Sequence, residues 1–159
     1  MDRFNYLGST LTDNAVIDRE VSNRIAKASA SFGRLHANVW SKCGIKIGTK
    51  LKVYRAAVLP MLLYACETWT VYQRHTKKQN HFHSTCLRKL FNIKWQDKIP
   101  DTEVLRRADL PSIYTFLMQS QLRWAGHVAR MPDHRLPKQL FYVELVKGKQ
   151  SRSAPKKTF

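Results

Sequence analysis

The sequence predicts a mainly α protein, a helical bundle with a short N-terminal strand or hairpin and a disordered basic tail. Three observations predict it. Apolar residues recur every third or fourth position through most of the chain, which is the helical period. Only the first dozen residues alternate apolar and polar in the manner of a strand. Hydrophobic residues make up 43% of the 159-residue chain and aromatics 11%, enough for a core in one domain or two small subdomains.

Residues 3–11 carry the strand pattern, with Gly8 as a bend or bulge. Little strand material follows, so this segment reads as an orphan whose partners would lie upstream of Met1. The clearest helix comes next. Ile17, Val21, Ile25, Ala28, Phe32, Leu35 and Val39 fall at spacings of 4, 4, 3, 4, 3 and 4, one apolar stripe over six turns. Thr12, Asp13 or Asn14 caps it, and Asp18 and Glu20 suit its positive end. Arg24, Lys27, Ser31 and Arg34 share a second face about 100° away. Burying the stripe leaves those bases as an exposed ridge.

Residues 42–48 form a linker with two glycines. Thr49 caps a second helix carrying Leu51, Tyr54, Val58, Leu62 and Ala65, which Pro60 kinks or divides. A third starts near Thr76 and carries Phe82, Cys86, Leu90 and Ile93. Asp101 caps a short helix through Ala108. Leu110-Pro111-Ser112 opens the last long one, with Pro111 in its first turn and Ile113, Leu117, Trp124 and Val128 on its inner face. Met131-Pro132-Asp133 ends it. Residues 136–146 fit strand or helix equally. Residues 147–159 hold five bases and no acid, the composition of a disordered tail.

Lys and Arg total 28 against 11 Asp and Glu, a formal net charge of +17. Such self-repulsion calls for a polyanion, and nucleic acid is the first candidate: RNA, DNA or an RNA–DNA hybrid. A membrane is not expected, because the longest apolar run, residues 56–66, is about half of a span and contains Pro60. The N-terminus lacks the apolar run of a secretory signal. Three cysteines make an odd set for a disulfide framework, which points to an intracellular setting, nuclear or cytoplasmic.

Catalytic chemistry is harder to find. Phosphoryl-transfer enzymes need carboxylates to hold magnesium, and the acids here form no Asp-Asp pair and sit largely at helix starts. No phosphate loop or dinucleotide fingerprint is present. The expectation is no catalytic residue, no cofactor and no enzyme. Cys66, His83 and Cys86 make a weak zinc candidate. Against it, Cys86 shares an apolar stripe with Phe82 and Leu90, where cysteine is an ordinary small buried side chain. Of the four tryptophans, Trp124 reads as core. Trp95, beside Lys94, is the better base-stacking candidate, although core packing is the favoured reading there too.

Six short blocks carry a resemblance. They are Tyr6-Leu7-Gly8-Ser9, Arg24-Ile25-Ala26-Lys27-Ala28, Leu51-Lys52-Val53-Tyr54-Arg55, Leu63-Tyr64-Ala65-Cys66-Glu67-Thr68-Trp69, Cys86-Leu87-Arg88, and the run from Arg123-Trp124 through Gly126-His127 to Arg130-Met131. In this order the chain resembles the C-terminal part of reverse transcriptases of non-LTR (LINE-type) retrotransposons, over about residues 4–145. Many of those relatives have Gly where this chain has Ala65. The resemblance implies the end of a palm strand at 1–12, a thumb-like region at 13–75, a C-terminal helical extension at 76–146 and the tail beyond. A thumb grips template-primer backbone without reading sequence. The bases implicated are Arg24, Lys27, Arg34, Lys50, Lys52, Arg55, Arg88, Lys94, Arg123 and Arg130, with Trp95 beside them. The family's catalytic Tyr-x-Asp-Asp motif has no counterpart here. The implied reading is an inert fragment that binds nucleic acid, with the missing palm and fingers as a further partner. The alternative is a structural remnant or an unselected transposon-derived reading frame.

Overall fold

In the computed structural model, residues 4–6, 9–11, 17–69 and 72–142 are described. Strand β1 (Phe4–Tyr6) pairs antiparallel with β2 (Ser9–Leu11) in the register Phe4↔Leu11, Asn5↔Thr10 and Tyr6↔Ser9. The expected orphan therefore finds a partner within the chain. Gly8, the proposed caps at 12–14 and the basic tail at 147–159 lie outside the described residues.

Everything else described is helical or turn apart from short extended links. Helix α1 (Ile17–Arg34) buries Val21, Ala28 and Phe32 as its stripe predicts. It stops earlier than the six-turn pattern suggests, and the chain widens into one π-helical turn at His36–Trp40. The second helix starts before Thr49, with Lys46 as its extended N-terminal neighbour, and runs as α2 (Ile47–Val53). It passes through a second π turn (Tyr54–Val58) into α3 (Leu59–Leu63). Pro60 sits in the first turn of α3. It has no N–H to donate, and the wider turn before it absorbs the mismatch, so the helix changes pitch at the expected place. α4 (Gln73–Leu90) begins three residues ahead of the predicted Thr76.

α5 (Asp101–Ala108) follows Pro100, with Asp101 its first helical residue and not its cap. α6 (Ile113–Ala129) is capped by Ser112, whose Oγ accepts from the Thr115 N–H at 3.2 Å, so Pro111 precedes the helix instead of opening it. Residues 136–146, undecided by pattern, begin as helix α7 (Leu136–Tyr142).

α1 and α4 lie side by side and parallel. Near their N-termini Asp18 accepts from Arg74 (2.6 Å) and from His75 Nε2 (2.7 Å). The Tyr72 N–H reaches His75 Nδ1 at 3.5 Å, which leaves the ring proton on Nε2, facing the carboxylate. The hydrogen bond from His75 is the main cause that holds the Asp18 carboxyl below its usual range, helped by the Arg74 charge. The α2–α3 rod runs antiparallel to α1. Ser31 donates to the Ala57 carbonyl at 3.3 Å, while Arg24 lies over the Tyr64 ring at 4.5 Å.

One core joins Val21, Phe32, Tyr54, Leu62, Leu87 and Leu117 with their neighbours. The boundary expected at residues 75/76 falls inside α4, and this core includes residues from both sides of it. Between helices, Asn80 on α4 accepts the first α6 N–H, that of Ile113, at 2.9 Å. Gln121 on α6 donates to the Trp69 carbonyl at the same distance.

Candidate nucleic-acid interface

The parallel pairing of α1 with α4 brings two helix C-termini together, and bases collect there. A helix C-terminus leaves carbonyls unpaired and carries the negative end of the dipole, so cations are favoured. Lys50 donates from Nζ to the Trp40 carbonyl at 2.6 Å, closing the π turn after α1. Arg88, in the last turn of α4, donates to the Asp101 carboxylate at 2.6 Å and to the Ile99 carbonyl. These bonds tie α4 to the start of α5, and they hold the Asp101 carboxyl below its usual range.

Between these ends lies a groove of about 770 Å³, lined by His36, Trp40, Lys42, Lys50, Arg88 and Lys89 among others, with no acid in the lining. The Trp40 ring stacks on Phe32 with centroids 5.1 Å apart, and its indole N–H donates to the Phe32 carbonyl at 2.7 Å, so this wall is fixed. Lys50 keeps two ammonium hydrogens beyond the one it commits. Lys42 and Lys89 are exposed and enter no ion pair among the described residues. The acids are largely occupied elsewhere. Asp18, Glu20, Asp101, Glu103, Asp109 and Asp133 all face cations, and Arg106 and Arg107 draw the Glu103 carboxyl down to about 2. The groove thus presents bases on its walls, with a tethered pair (Lys50, Arg88) and an untethered pair (Lys42, Lys89).

The residues picked out by sequence are only partly gathered here. Lys50 and Arg88 line the groove. Arg24 does not, and it breaks the expected ridge: it is 4% exposed, paired to Glu20 at 2.7 Å. One helical turn from an acid and opposite an aromatic ring, it is a core residue with a charge. Lys27 and Arg34 are exposed on α1 outside the lining, and Lys52 is exposed on α2. Arg55 donates to the Ala108 and Asp109 carbonyls, completing the C-terminus of α5. Arg123 and Arg130 are exposed on and just after α6. Lys94 and Trp95 follow the groove directly. Trp95 is 84% exposed, which overturns core packing for it, and Trp124, expected in the core, is 36% exposed.

The weak zinc set is not brought together. Among the described residues no three His, Cys, Asp or Glu side chains converge as metal ligands. Cys66 and Cys86 are buried, and burial pushes their thiols up to about 11 and about 12, away from the thiolate form a metal binds. His83 Nδ1 is taken by the Tyr54 hydroxyl at 2.8 Å. Among the described residues no helix is long and apolar enough to cross a membrane.

Sequence comparison supplies one further observation. Over 141 residues the chain is 27% identical to a Caenorhabditis elegans protein named as a "putative uncharacterized transposon-derived protein". The chain is similar to a transposon-derived protein. The match covers 85% of this chain but 49% of the relative, so the chain spans about half of the relative's length. No family model and no solved structure matches. Lys42, Lys89, His36 and Trp40 were missed by sequence reasoning because each is unremarkable in its own segment. Only the packing of α1 beside α4 makes neighbours of them.

Proposed function

We propose that this chain is a non-catalytic nucleic-acid-binding module of retrotransposon reverse-transcriptase descent, corresponding to the thumb and the helices after it. It holds RNA, DNA or a hybrid by the phosphate backbone and reads no sequence. The observation that carries this is the acid-free groove lining with Lys42, Lys50 and Lys89, from the loop after α1, α2 and α4, none of them in an ion pair among the described residues. Phosphates neutralised there release counterions, and a lysine ammonium is a point charge indifferent to base identity. The transposon-derived relative and the resemblance to the thumb region support the same descent. The absent Tyr-x-Asp-Asp motif supports the lack of chemistry.

The test is a filter-binding comparison of wild type with the double variant Lys42→Glu/Lys89→Glu on duplex DNA, RNA–DNA hybrid and single strands. Among the described residues neither lysine side chain has an ion-pair or hydrogen-bond partner, so folding survives. Weakening on all substrates by a similar factor is expected, with no turnover by either protein. Unchanged affinity would falsify the groove as the binding surface. A second reading, a transposon-derived reading frame without a binding role, draws on the name of the relative and on exposed Tyr114, Leu122 and Leu136 along α6 and α7. It predicts a protein that self-associates and binds no nucleic acid at moderate salt.

A further inference from the structure

Trp95 is the most exposed large apolar side chain described, and its setting is rigid. It opens a one-turn 3₁₀ segment (Trp95–Asp97). Asp97 fixes that turn by accepting from the Lys94 backbone N–H at 2.7 Å, while its own N–H donates to the Lys94 carbonyl at 3.2 Å. The Lys98 N–H returns to the Trp95 carbonyl at 3.3 Å, with Lys98 in the left-handed region at φ 49°. The indole is therefore presented by a closed turn, not by a loose loop.

Its position matters as much. Asn92 and Ile93 line the basic groove, and Trp95 stands two residues further along an extended link through Lys94 (φ −89°, ψ 158°). Two residues span at most about 7 Å, so the Trp95 backbone lies beside the rim of the groove. Lys94 and Lys98 flank it, both exposed. An exposed aromatic plane between cations, next to a groove that carries further cations, is the combination that single-strand binders use: the backbone tracks the cations while a base stacks on the ring. A paired base inside a duplex cannot offer its face to such a ring, because its neighbours already cover it.

We propose that Trp95 is a stacking platform for an unpaired base, so that the groove prefers a single-stranded segment, or a single-stranded extension of a duplex, over a blunt duplex. This rests on the groove being the nucleic-acid surface. The experiment compares wild type, Trp95→Ala, Trp95→Phe and Lys42→Glu/Lys89→Glu on a 12-nucleotide oligo(dT) and on a blunt 12-base-pair duplex. Affinity and intrinsic tryptophan fluorescence are read for each.

Trp95→Ala is expected to lose about five-fold or more in single-strand affinity, with duplex affinity unchanged. Trp95→Phe should keep most of the affinity but show a smaller fluorescence quench on oligo(dT) than wild type, the remainder coming from Trp40 in the groove wall. The lysine variant should weaken both substrates. If Trp95→Ala binds oligo(dT) like wild type, or loses duplex and single strand equally, the stacking role is overturned while the groove reading stands. If the lysine variant binds both substrates unchanged, the groove reading fails and this inference fails with it. Trp95 is exposed, so its variants fold.

Discussion

Two residues carry consequences that their neighbours do not. Ala65 connects α3 to the short 3₁₀ turn at Cys66–Thr68 with φ 60° and ψ 18°, the left-handed region. There a Cβ crowds the following carbonyl, costing roughly 1–2 kcal/mol, and glycine avoids the cost. Ala65→Gly is therefore expected to stabilise the protein by about 1 kcal/mol, less the backbone freedom glycine returns to the unfolded chain. Urea denaturation measures it, and a destabilised variant would contradict the argument. His83 is the second case. Burial pulls its pKa from 6.5 down to about 4, with the Pro111 carbonyl acting weakly in the other direction. The folded chain keeps the ring neutral to about pH 4, whereas the unfolded chain protonates it near 6.5. Between those values the unfolded state binds the extra proton, so stability falls as pH drops from about 6.5 to about 4, by up to about 3 kcal/mol. Denaturation midpoints across that window should show the slope in wild type and a flatter one in His83→Gln, which is less stable at neutral pH.

At the scale of elements, α1 shows what periodicity reads well and what it misses. Its apolar stripe predicts Val21, Ala28 and Phe32 in the core, and all three are buried. The second face fails at Arg24, because the α2–α3 rod returns antiparallel and lays Tyr64 across it. No local pattern announces that return. Arg24→Glu accordingly acts as a core mutation: it removes the partner of Glu20 and buries like charges one turn apart. A loss of about 3 kcal/mol or more is expected. Arg34→Glu, on the exposed end of the same helix, should stay within about 0.5 kcal/mol. Equal effects of the two in chemical denaturation would mean that Arg24 is not enclosed. The element boundaries moved for similar reasons. Thr49 and Asp101 are good caps by residue type, yet α2 begins at Ile47 and α5 has Pro100 before it.

For the whole molecule, charge is the dominant fact. With six acids already facing cations of the chain itself, the surplus behind the net charge of +17 has little counterion of its own, and solvent ions or a polyanion must supply it. Binding to duplex DNA should weaken linearly in log affinity against log salt, each phosphate neutralised contributing about 0.9 to the slope. Replacing Lys42 and Lys89 should then reduce that slope by about 2. A slope unchanged from wild type would contradict the proposed phosphate contacts of the groove. The same arithmetic explains why Arg55 and Arg88, though basic, matter less as free charges: both are committed to carbonyls or acids that join α5 to the rest.

The amino-acid sequence alone determined the helical class, the apolar faces of α1 and α4, that of α6 apart from Trp124, the change of pitch at Pro60 and the large positive charge of the chain. These depend on residue type and short-range spacing, which the chain carries locally. Tertiary structure alone decided that Arg24 is enclosed, that Trp95 is bare, and that Lys42 and Lys89 share a groove with Lys50 and Arg88. Those outcomes depend on which faces meet when α1 lies parallel to α4 and antiparallel to the rod between them, and contacts between residues dozens of positions apart leave no periodic trace in the sequence.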